Sequence, residues 1–367
     1  MDKTFYQQFE TPCLVIDEQI VKKNIKDMQN AADKEKCDLR PHVKTHKMPY
    51  FAKMQIDAGA CGITSCKVSE AEVMADGGVT DIFIAYPLVG VKKLRRACDL
   101  SKKVNRLILA VDSLEQAVLL AEAAEANDLQ LEVRIEVECG GTRTGVELER
   151  FAPLVSFVES NGSLNLTGLY TFRGVNGVTI KPADAAAAEV TLMEEYHKVC
   201  IDICHREVEL SGGSTPTGRE VAKLGNMTEI RPGTYIFNDY MLHEECGVPL
   251  DRMAAKLLVT VVSVHNDYVV VDGGCKTFAL DPTLDQPPYY FNSYAYFPGN
   301  SHLRIRRLNE EHGIIESDNG RLDMKVGDIL EAIPLHVCTA VNLQNYVYVY
   351  SGNDVHAERV TARGMLQ

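Results

Sequence analysis

One lysine stands within a short basic segment, Arg-Pro-His-Val-Lys-Thr-His-Lys, at residues 40–47. A β-rich run covers Leu39 to Thr45, and alternate side chains of a strand share a face, so we expect Arg40, His42 and Lys44 to point the same way. An amine in a desolvated pocket has a lowered pKa and is nucleophilic, which would let Lys44 form a Schiff base with a carbonyl compound. A solvated lysine in a basic loop explains the same pattern, and this segment alone leaves both explanations open.

Two glycine-containing turns follow neighbouring β-rich runs. The first is Ser-Gly-Gly-Ser-Thr at residues 211–215, and the second is Arg-Pro-Gly-Thr-Tyr at residues 231–235. Glycines let the backbone approach a ligand closely, while successive N–H groups and hydroxyls can bind an oxyanion. Each turn alone is more typical of an ordinary tight turn. Their placement after the seventh and eighth runs, where barrel phosphate sites commonly lie, makes a phosphate site an equal alternative.

Two other loops carry polar groups at the ends of β-rich runs. The segment Cys139 to Gly145 would offer Arg143 to an anionic or phenolic oxygen, and Tyr170 and Arg173 end the next run. A salt-bridged loop arginine and a core aromatic residue are the structural alternatives, and they remain open.

A histidine and a cysteine are separated by one residue near the C-terminus, in Pro-Leu-His-Val-Cys at residues 334–338. On an extended strand, His336 and Cys338 would point the same way, and imidazole with thiolate suits zinc. Catalytic zinc usually has three protein ligands, so the spacing alone favours a buried histidine and cysteine over a metal site.

These residues must be positioned by a repeating pattern of β-rich runs and helical segments. Helical periodicity covers Leu114 to Ala126 and Ala183 to Cys204, between successive runs. The runs are Leu39 to Thr45, Gly62 to Ser65, Asp81 to Ala85, Arg106 to Val111, Leu131 to Glu138, Leu166 to Phe172, Val208 to Ser211 and Glu229 to Tyr235. Eight units in about 230 residues predict a (β/α)8 TIM barrel, although a doubly wound open sheet has the same pattern.

The pattern changes after about residue 250. Lys256 to Val264 and Tyr268 to Asp272 flank a hairpin signal, and Tyr346 to Tyr350 ends in Ser-Gly-Asn-Asp. We therefore predict a C-terminal antiparallel β domain into which Thr11 to Ile16 pairs. The expected division is a barrel at 17–248 and a β domain formed by 1–16 and 249–367.

Composition excludes several classes of protein. Of 367 residues, 46% are hydrophobic, which is enough for a large core, and the net charge of −13 opposes non-specific binding to nucleic acid. No run reaches eighteen apolar residues and the N-terminus lacks a secretion signal, so we expect neither membrane insertion nor export. The eleven cysteines form no CxxC pair, as expected for a chain in the reducing cytoplasm.

The basic segment at 40–47, the two glycine turns and the His-x-Cys segment together resemble the D-serine dehydratase and D-threonine aldolase family. Its members are fold-type III pyridoxal phosphate enzymes with an alanine-racemase-like barrel, and the resemblance spans nearly the whole chain. It implies that Lys44 holds pyridoxal phosphate through a Schiff base, and that Arg143 and Tyr170 approach the cofactor ring. The residues that it implies for the cofactor's phosphate are Ser211, Gly212, Gly213, Ser214, Thr215, Gly233 and Thr234.

The same resemblance implies a reaction. His336 and Cys338 would hold a divalent metal, zinc or else manganese, beside the β-hydroxyl of a D-amino acid, and Lys44 would remove the Cα proton. His-x-Cys resembles the dehydratases, which form a 2-oxo acid and ammonia, whereas aldolases tend to have aspartate at the second position. An aldolase giving glycine and an aldehyde, an amino-acid racemase and a non-catalytic pyridoxal phosphate carrier are the alternatives. A homodimer is also implied.

Overall fold

The computed structural model describes residues 3–140, 143–175, 181–287 and 289–367. Its strands are β1 (Cys13–Asp17), β2 (Asp38–Leu39), β3 (Ile63–Ser65), β4 (Asp81–Pro87), β5 (Arg106–Val111), β6 (Leu131–Glu136), β7 (Leu164–Tyr170), β8 (Glu209–Gly212), β9 (Glu229–Ile230), β10 (Ala255–Val264), β11 (Val269–Val271), β12 (Ala295–Tyr296), β13 (Leu303–Leu308), β14 (Gly313–Ser317), β15 (Ile329–Pro334), β16 (Tyr346–Ser351) and β17 (Asp354–Arg359).

The helices connect and cover these strands. They are α1 (Lys3–Tyr6), α2 (Glu18–Lys34), α3 (Pro49–Asp57), α4 (Val68–Asp76), α5 (Val91–Ser101), α6 (Leu114–Glu125), α7 (Leu148–Ser160), α8 (Pro182–Cys204), α9 (Gly218–Leu224), α10 (Tyr240–Cys246), α11 (Cys275–Phe278) and α12 (Val337–Leu343). Short 3-10 turns lie at Val43–Thr45, Thr234–Ile236 and Leu250–Arg252. None of the helices in the described ranges is both long and apolar enough to cross a membrane.

Eight parallel strands form the barrel, in the order β2-β9-β8-β7-β6-β5-β4-β3. The two ends of this sheet meet, because His42 bridges to Thr64 and the N–H of Cys61 donates to the carbonyl of Leu39 at 3.0 Å. Closure confirms the predicted barrel over the open sheet. It also brings the ends of all eight strands to one rim, which is where barrel enzymes place their chemistry.

The buried side chains of helix α8 have the spacing that predicted a helix here. Its buried side chains include Ala186, Val190, Met193 and Cys200, at spacings of three, four and seven residues, so one face packs on the barrel. Pro182 occupies the first turn, where the missing N–H has no helical partner to lose. The predicted helix Ala183 to Cys204 is therefore confirmed to within one residue.

The first and last barrel strands are shorter than predicted. The run Leu39 to Thr45 forms a strand only at its start and then turns, and Glu229 to Tyr235 does the same. Pro41 and Pro232 each lack the N–H that a regular strand donates, although the N–H of His42 still donates to the carbonyl of Pro232 at 3.0 Å. Lys44 lies in a 3-10 turn at the barrel rim and not on a strand.

Alternation predicted that the side chains of Arg40 and Lys44 share a face, and this prediction is wrong for Arg40. It lies inside the barrel with 1% of its side chain exposed, and its Nε donates to Glu229 Oε2 at 2.6 Å. Arg134 donates to the other oxygen of Glu229 at 2.5 Å. Burial alone would raise the pKa of Glu229, but the charges of Arg134 and Arg40 outweigh it and hold the pKa well below its usual range. Buried ion pairs thus occupy part of the barrel interior below the rim.

The second sheet is mostly antiparallel and has the order β13-β14-β11-β10-β1-β16-β17, with β15 pairing to β10 and β12 pairing to β15. The predicted hairpin is present, since β10 pairs antiparallel with β11. Strand β1 lies between β10 and β16 and so joins the N-terminus to this sheet, as predicted. The boundaries 17–248, 1–16 and 249–367 stay a prediction.

Candidate active site

Lys44 lies at the rim of the barrel in a turn that its neighbours hold. The N–H of Lys44 donates to Nδ1 of His42 at 3.4 Å, and the N–H of Lys47 donates to the carbonyl of Val43 at 2.8 Å. Its ammonium group is 5.4 Å from the centre of the Phe172 ring, at the end of β7. Lys44 therefore lines a cavity whose walls come from the rim loops and from the second sheet.

Four of the predicted phosphate-binding residues line this cavity, namely Ser214, Thr215, Gly233 and Thr234. A side chain at position 233 would place its Cβ 3.1 Å from the His42 carbonyl, so only glycine fits without displacing the lysine turn. The N–H of Ser214 already donates to Thr217 at 2.9 Å, which fixes the loop. The two glycine turns thus meet beside Lys44, as their sequence positions predicted.

The remaining members of the first glycine turn lie outside the cavity wall. The hydroxyl of Ser211 donates to Glu229 at 2.5 Å and also contacts Arg231, so the barrel interior already uses it. Gly212 adjoins it in β8, while the N–H of Gly213 donates to Glu189 at 2.7 Å. These three residues therefore lie behind the cavity wall. The alternation of side chains along the strand did not predict which residues of the turn line the cavity.

Glu189 is a buried acid beneath this loop. One carboxyl oxygen accepts the Gly213 N–H, and the other has no hydrogen-bond partner among the described residues. Burial raises the pKa of Glu189 to about 7. The loop therefore rests on a carboxyl group that changes charge near neutral pH.

Tyr170 and Arg143 are not placed on this cavity wall. Tyr170 is buried in the barrel, where its hydroxyl donates to Glu136 at 2.8 Å. The Arg143 guanidinium lies 4.7 Å from the centre of the Phe172 ring and lines a separate groove. Residues 141–142 of the predicted Cys139 to Gly145 loop lie outside the described part of the chain.

Arg231 is a cavity residue that the sequence analysis did not single out. It is 6% exposed, and its guanidinium donates to the carbonyl of Thr171 at 2.6 Å and to Ser211. The motif Arg-Pro-Gly-Thr-Tyr contained the signal, but there it was interpreted only for its glycine. Phe172 was likewise missed as a wall residue.

His336 and Cys338 reach the same region from the second sheet. His336 precedes α12, and it lies on the wall shared with Lys44 and Arg231. The Cys338 thiol is 3.2 Å from the hydroxyl of Thr45, the residue after Lys44, and 3.6 Å from that of Thr234. Two distant parts of the chain therefore place a lysine and a His-x-Cys pair at one site.

Asp239 connects the barrel to this pair. One of its oxygens accepts the Leu242 N–H at the start of α10, and the other accepts the Val337 N–H, each at 3.1 Å. Val337 lies between His336 and Cys338, so a helix-capping carboxylate of the barrel fixes the backbone of the His-x-Cys segment.

The two side chains of the segment suit a divalent metal. Burial alone would raise the pKa of the Cys338 thiol, but the positive charge of His336 outweighs this effect and lowers it. Burial would lower the pKa of His336, yet the Cys338 thiolate and Asp281 raise it well above its usual value. Thiolate and imidazole are both ligand types that zinc prefers in proteins. No group of three or more metal-binding side chains occurs among the described residues.

A second acid lies on the cavity wall near His336. Glu245 has a buried carboxyl oxygen that lacks a hydrogen-bond partner among the described residues. Burial raises the pKa of Glu245 to about 7, with a further contribution from Asp239. Glu245 and Asp239 therefore give the cavity wall two acidic side chains, which no sequence spacing indicated.

Comparisons with known proteins agree with this geometry. Residues 16–241 match the model of the alanine racemase N-terminal domain, and residues 254–350 match that of a putative serine dehydratase domain. D-threonine aldolase of an Arthrobacter species is 30% identical over 97% of this chain and 93% of its own length. D-serine dehydratase of Dictyostelium discoideum is 26% identical over 94% of each chain. The crystal structure of D-threonine aldolase from Filomicrobium marinum superposes with a TM-score of 0.88 at 28% identity and covers 98% of this chain and 97% of that one.

Proposed function

We propose that this protein is a metal-dependent D-amino acid dehydratase. The chain belongs to the D-serine dehydratase and D-threonine aldolase family of pyridoxal phosphate-dependent lyases. The substrate is a D-β-hydroxy amino acid such as D-serine or D-threonine, and the products are a 2-oxo acid and ammonia. The observation that carries the proposal is the 3.2 Å contact between Thr45 and Cys338, because it sets a candidate metal ligand beside the lysine turn.

The cofactor site is assigned to residues that fit its parts. Lys44 supplies the amine, while Ser214, Thr215, Gly233 and Thr234 surround the place for a phosphate. Bound pyridoxal phosphate supplies an electron sink for negative charge at Cα of the substrate. Lys44 Nζ then removes the Cα proton as general base, and Phe172 covers the lysine from the β7 side.

The metal site is assigned to His336 and Cys338. A divalent ion there, with zinc preferred because a thiolate is a soft ligand, supplies Lewis-acid charge at the β-oxygen of the substrate. The hydroxyls of Thr45 and Thr234 face the Cys338 sulfur and stabilise its thiolate. Removal of the metal with a chelator should abolish turnover but leave the cofactor absorption band, and zinc should restore activity.

An aldolase that gives glycine and an aldehyde is the second candidate. The Arthrobacter D-threonine aldolase, which aligns along 97% of this chain, favours it. Both reactions need the same lysine and the same ion, and Cys338 in the place where aldolases tend to have aspartate favours dehydration. A homodimer located in the cytoplasm is part of the same proposal.

Incubation with D-threonine, pyridoxal phosphate and zinc separates the two candidates. A dehydratase forms 2-oxobutyrate and ammonia, whereas an aldolase forms glycine and acetaldehyde. Glycine as the main product would contradict the dehydratase. The corresponding products from D-serine are pyruvate and ammonia, or glycine and formaldehyde, and absence of all these products with both amino acids would contradict this substrate class.

A further inference from the structure

Asp281 is a residue outside both sequence motifs that contacts a candidate metal ligand. Its Oδ2 accepts a hydrogen bond from Nδ1 of His336 at 2.7 Å, although 55 residues separate the two in the chain. Asp281 lies in the segment after α11, and its side chain is 57% exposed, while that of His336 is 27% exposed. The hydrogen bond therefore links the exposed Asp281 to the less exposed His336.

The chemistry of imidazole gives this contact a consequence. A neutral histidine carries its proton on one ring nitrogen and binds a metal through the other, so the partner of the protonated nitrogen decides which atom coordinates. An acceptor at Nδ1 keeps the proton there and leaves the lone pair of Nε2 for the ion. The His336 side chain also hydrogen-bonds to the Cys338 thiol, so the two side chains form one donor pair.

We propose that Asp281 is a positioning residue for the metal: it fixes the tautomer and the ring orientation of His336, so that Nε2 and the Cys338 sulfur bind one divalent ion together. The inference rests on the proposed metal-dependent function. It assigns a third protein residue to a site for which the sequence offered only two.

The backbone of the His-x-Cys segment is held independently of Asp281. Asp239 accepts the Val337 N–H, and β15 leads directly into His336. Replacement of Asp281 should therefore leave the position of the segment unchanged and alter only the ring. The effect of Asp281 on the His336 ring can therefore be tested in a variant that keeps its fold.

The test is zinc affinity, measured by competition with a chromophoric chelator on the cofactor-loaded protein. Removal of a residue that orients a ligand typically weakens metal binding about 10- to 100-fold, which we expect for Asp281→Ala. Asp281→Asn keeps an oxygen that can accept the Nδ1 proton, so its loss should be smaller. Asp285→Asn is the matched control, because Asp285 lies four residues away and pairs only with the exposed Arg306 among the described contacts.

Cobalt provides a second readout that a purely structural role would not change. In the native protein, Co²⁺ should give a thiolate charge-transfer band and visible bands of a low-coordinate site, and in Asp281→Ala the visible bands should shift or weaken. The cofactor absorption and the thermal unfolding temperature should match those of the native protein.

Three outcomes would overturn the inference. Zinc affinity of Asp281→Ala equal to that of the native protein would refute it while the metal proposal stands. An equal loss in Asp281→Asn and Asp281→Ala would refute the role of the accepting oxygen. Failure of the native protein itself to bind zinc or cobalt would refute the metal proposal and this inference together.

Discussion

Replacement of Glu229 by glutamine should strongly destabilise the barrel. Glu229 is 3% exposed, and its two oxygens accept hydrogen bonds from Arg40 at 2.6 Å, from Arg134 at 2.5 Å and from Ser211 at 2.5 Å. Glutamine has nearly the same shape but no charge, and its amide group turns a donor toward one of the arginines. Both arginines are 99% buried and would lose their shared counterion.

The magnitude follows from burial. Removal of one partner of a buried ion pair costs about 3 to 5 kcal/mol, because the remaining charge stays without solvent and without its pair. Asp81 and Glu209 still contact the two arginines and reduce the loss, so about 3 kcal/mol is the expected value. Glu209→Gln is the control: its side chain is 40% exposed, and its loss should stay within about 1 kcal/mol.

Urea unfolding monitored by circular dichroism gives both free energies of unfolding. The native protein should also lose stability as the pH falls below about 4.5, because the pKa of Glu229 is held below its ordinary value in the fold and the group protonates on unfolding. Glu229→Gln lacks this part of the pH dependence. A loss below about 1 kcal/mol, or one no larger than that of Glu209→Gln, would refute the reasoning from buried charge.

Three further predictions concern the site. Lys44→Ala should abolish both turnover and the absorption band of covalently bound cofactor, and a band that persists would mean that another amine holds the cofactor. Glu189→Gln should keep the Gly213 hydrogen bond but remove a buried charge. The folded-state pKa of about 7 exceeds the ordinary 4.5, so the native protein should lose up to about 3 kcal/mol of stability as the pH rises from 4.5 to 8, and the variant should not. An unfolding titration that is equally pH-dependent in both proteins would contradict this explanation. Thr45→Val removes a hydroxyl that faces the Cys338 sulfur. The pKa of the Cys338 thiol, measured from the pH dependence of its alkylation in metal-free protein, should therefore rise. An unchanged pH profile of alkylation would show that the contact has no effect on the thiolate.

The sequence indicated those parts of the candidate site that consist of short local motifs. Lys44 and the turn at Gly233 could be identified because motifs at strand ends gather at the rim of a barrel once the strands close. Alternation along a strand does not say which side chains stop below the rim, where those of Ser211 and Tyr170 bond to Glu229 and Glu136. Asp281 and Asp239 could not be found at all, since each contacts a residue far away in the sequence, and no spacing marks Glu245 as a wall residue.

Local order in the sequence determined the elements themselves: helical periodicity gave α6 and α8 within a residue or two, and turn residues marked the hairpin of β10 and β11. These features depend on neighbours three or four positions apart, so the sequence states them directly. Tertiary structure alone decided that Arg40 turns inward to Glu229, that β10 and β16 are the two strands that flank β1 in the sheet it was predicted to join, and that Cys338 meets Thr45 across 293 residues. Such contacts depend on barrel closure and on the packing of two sheets, which fix distances that no spacing along the chain contains.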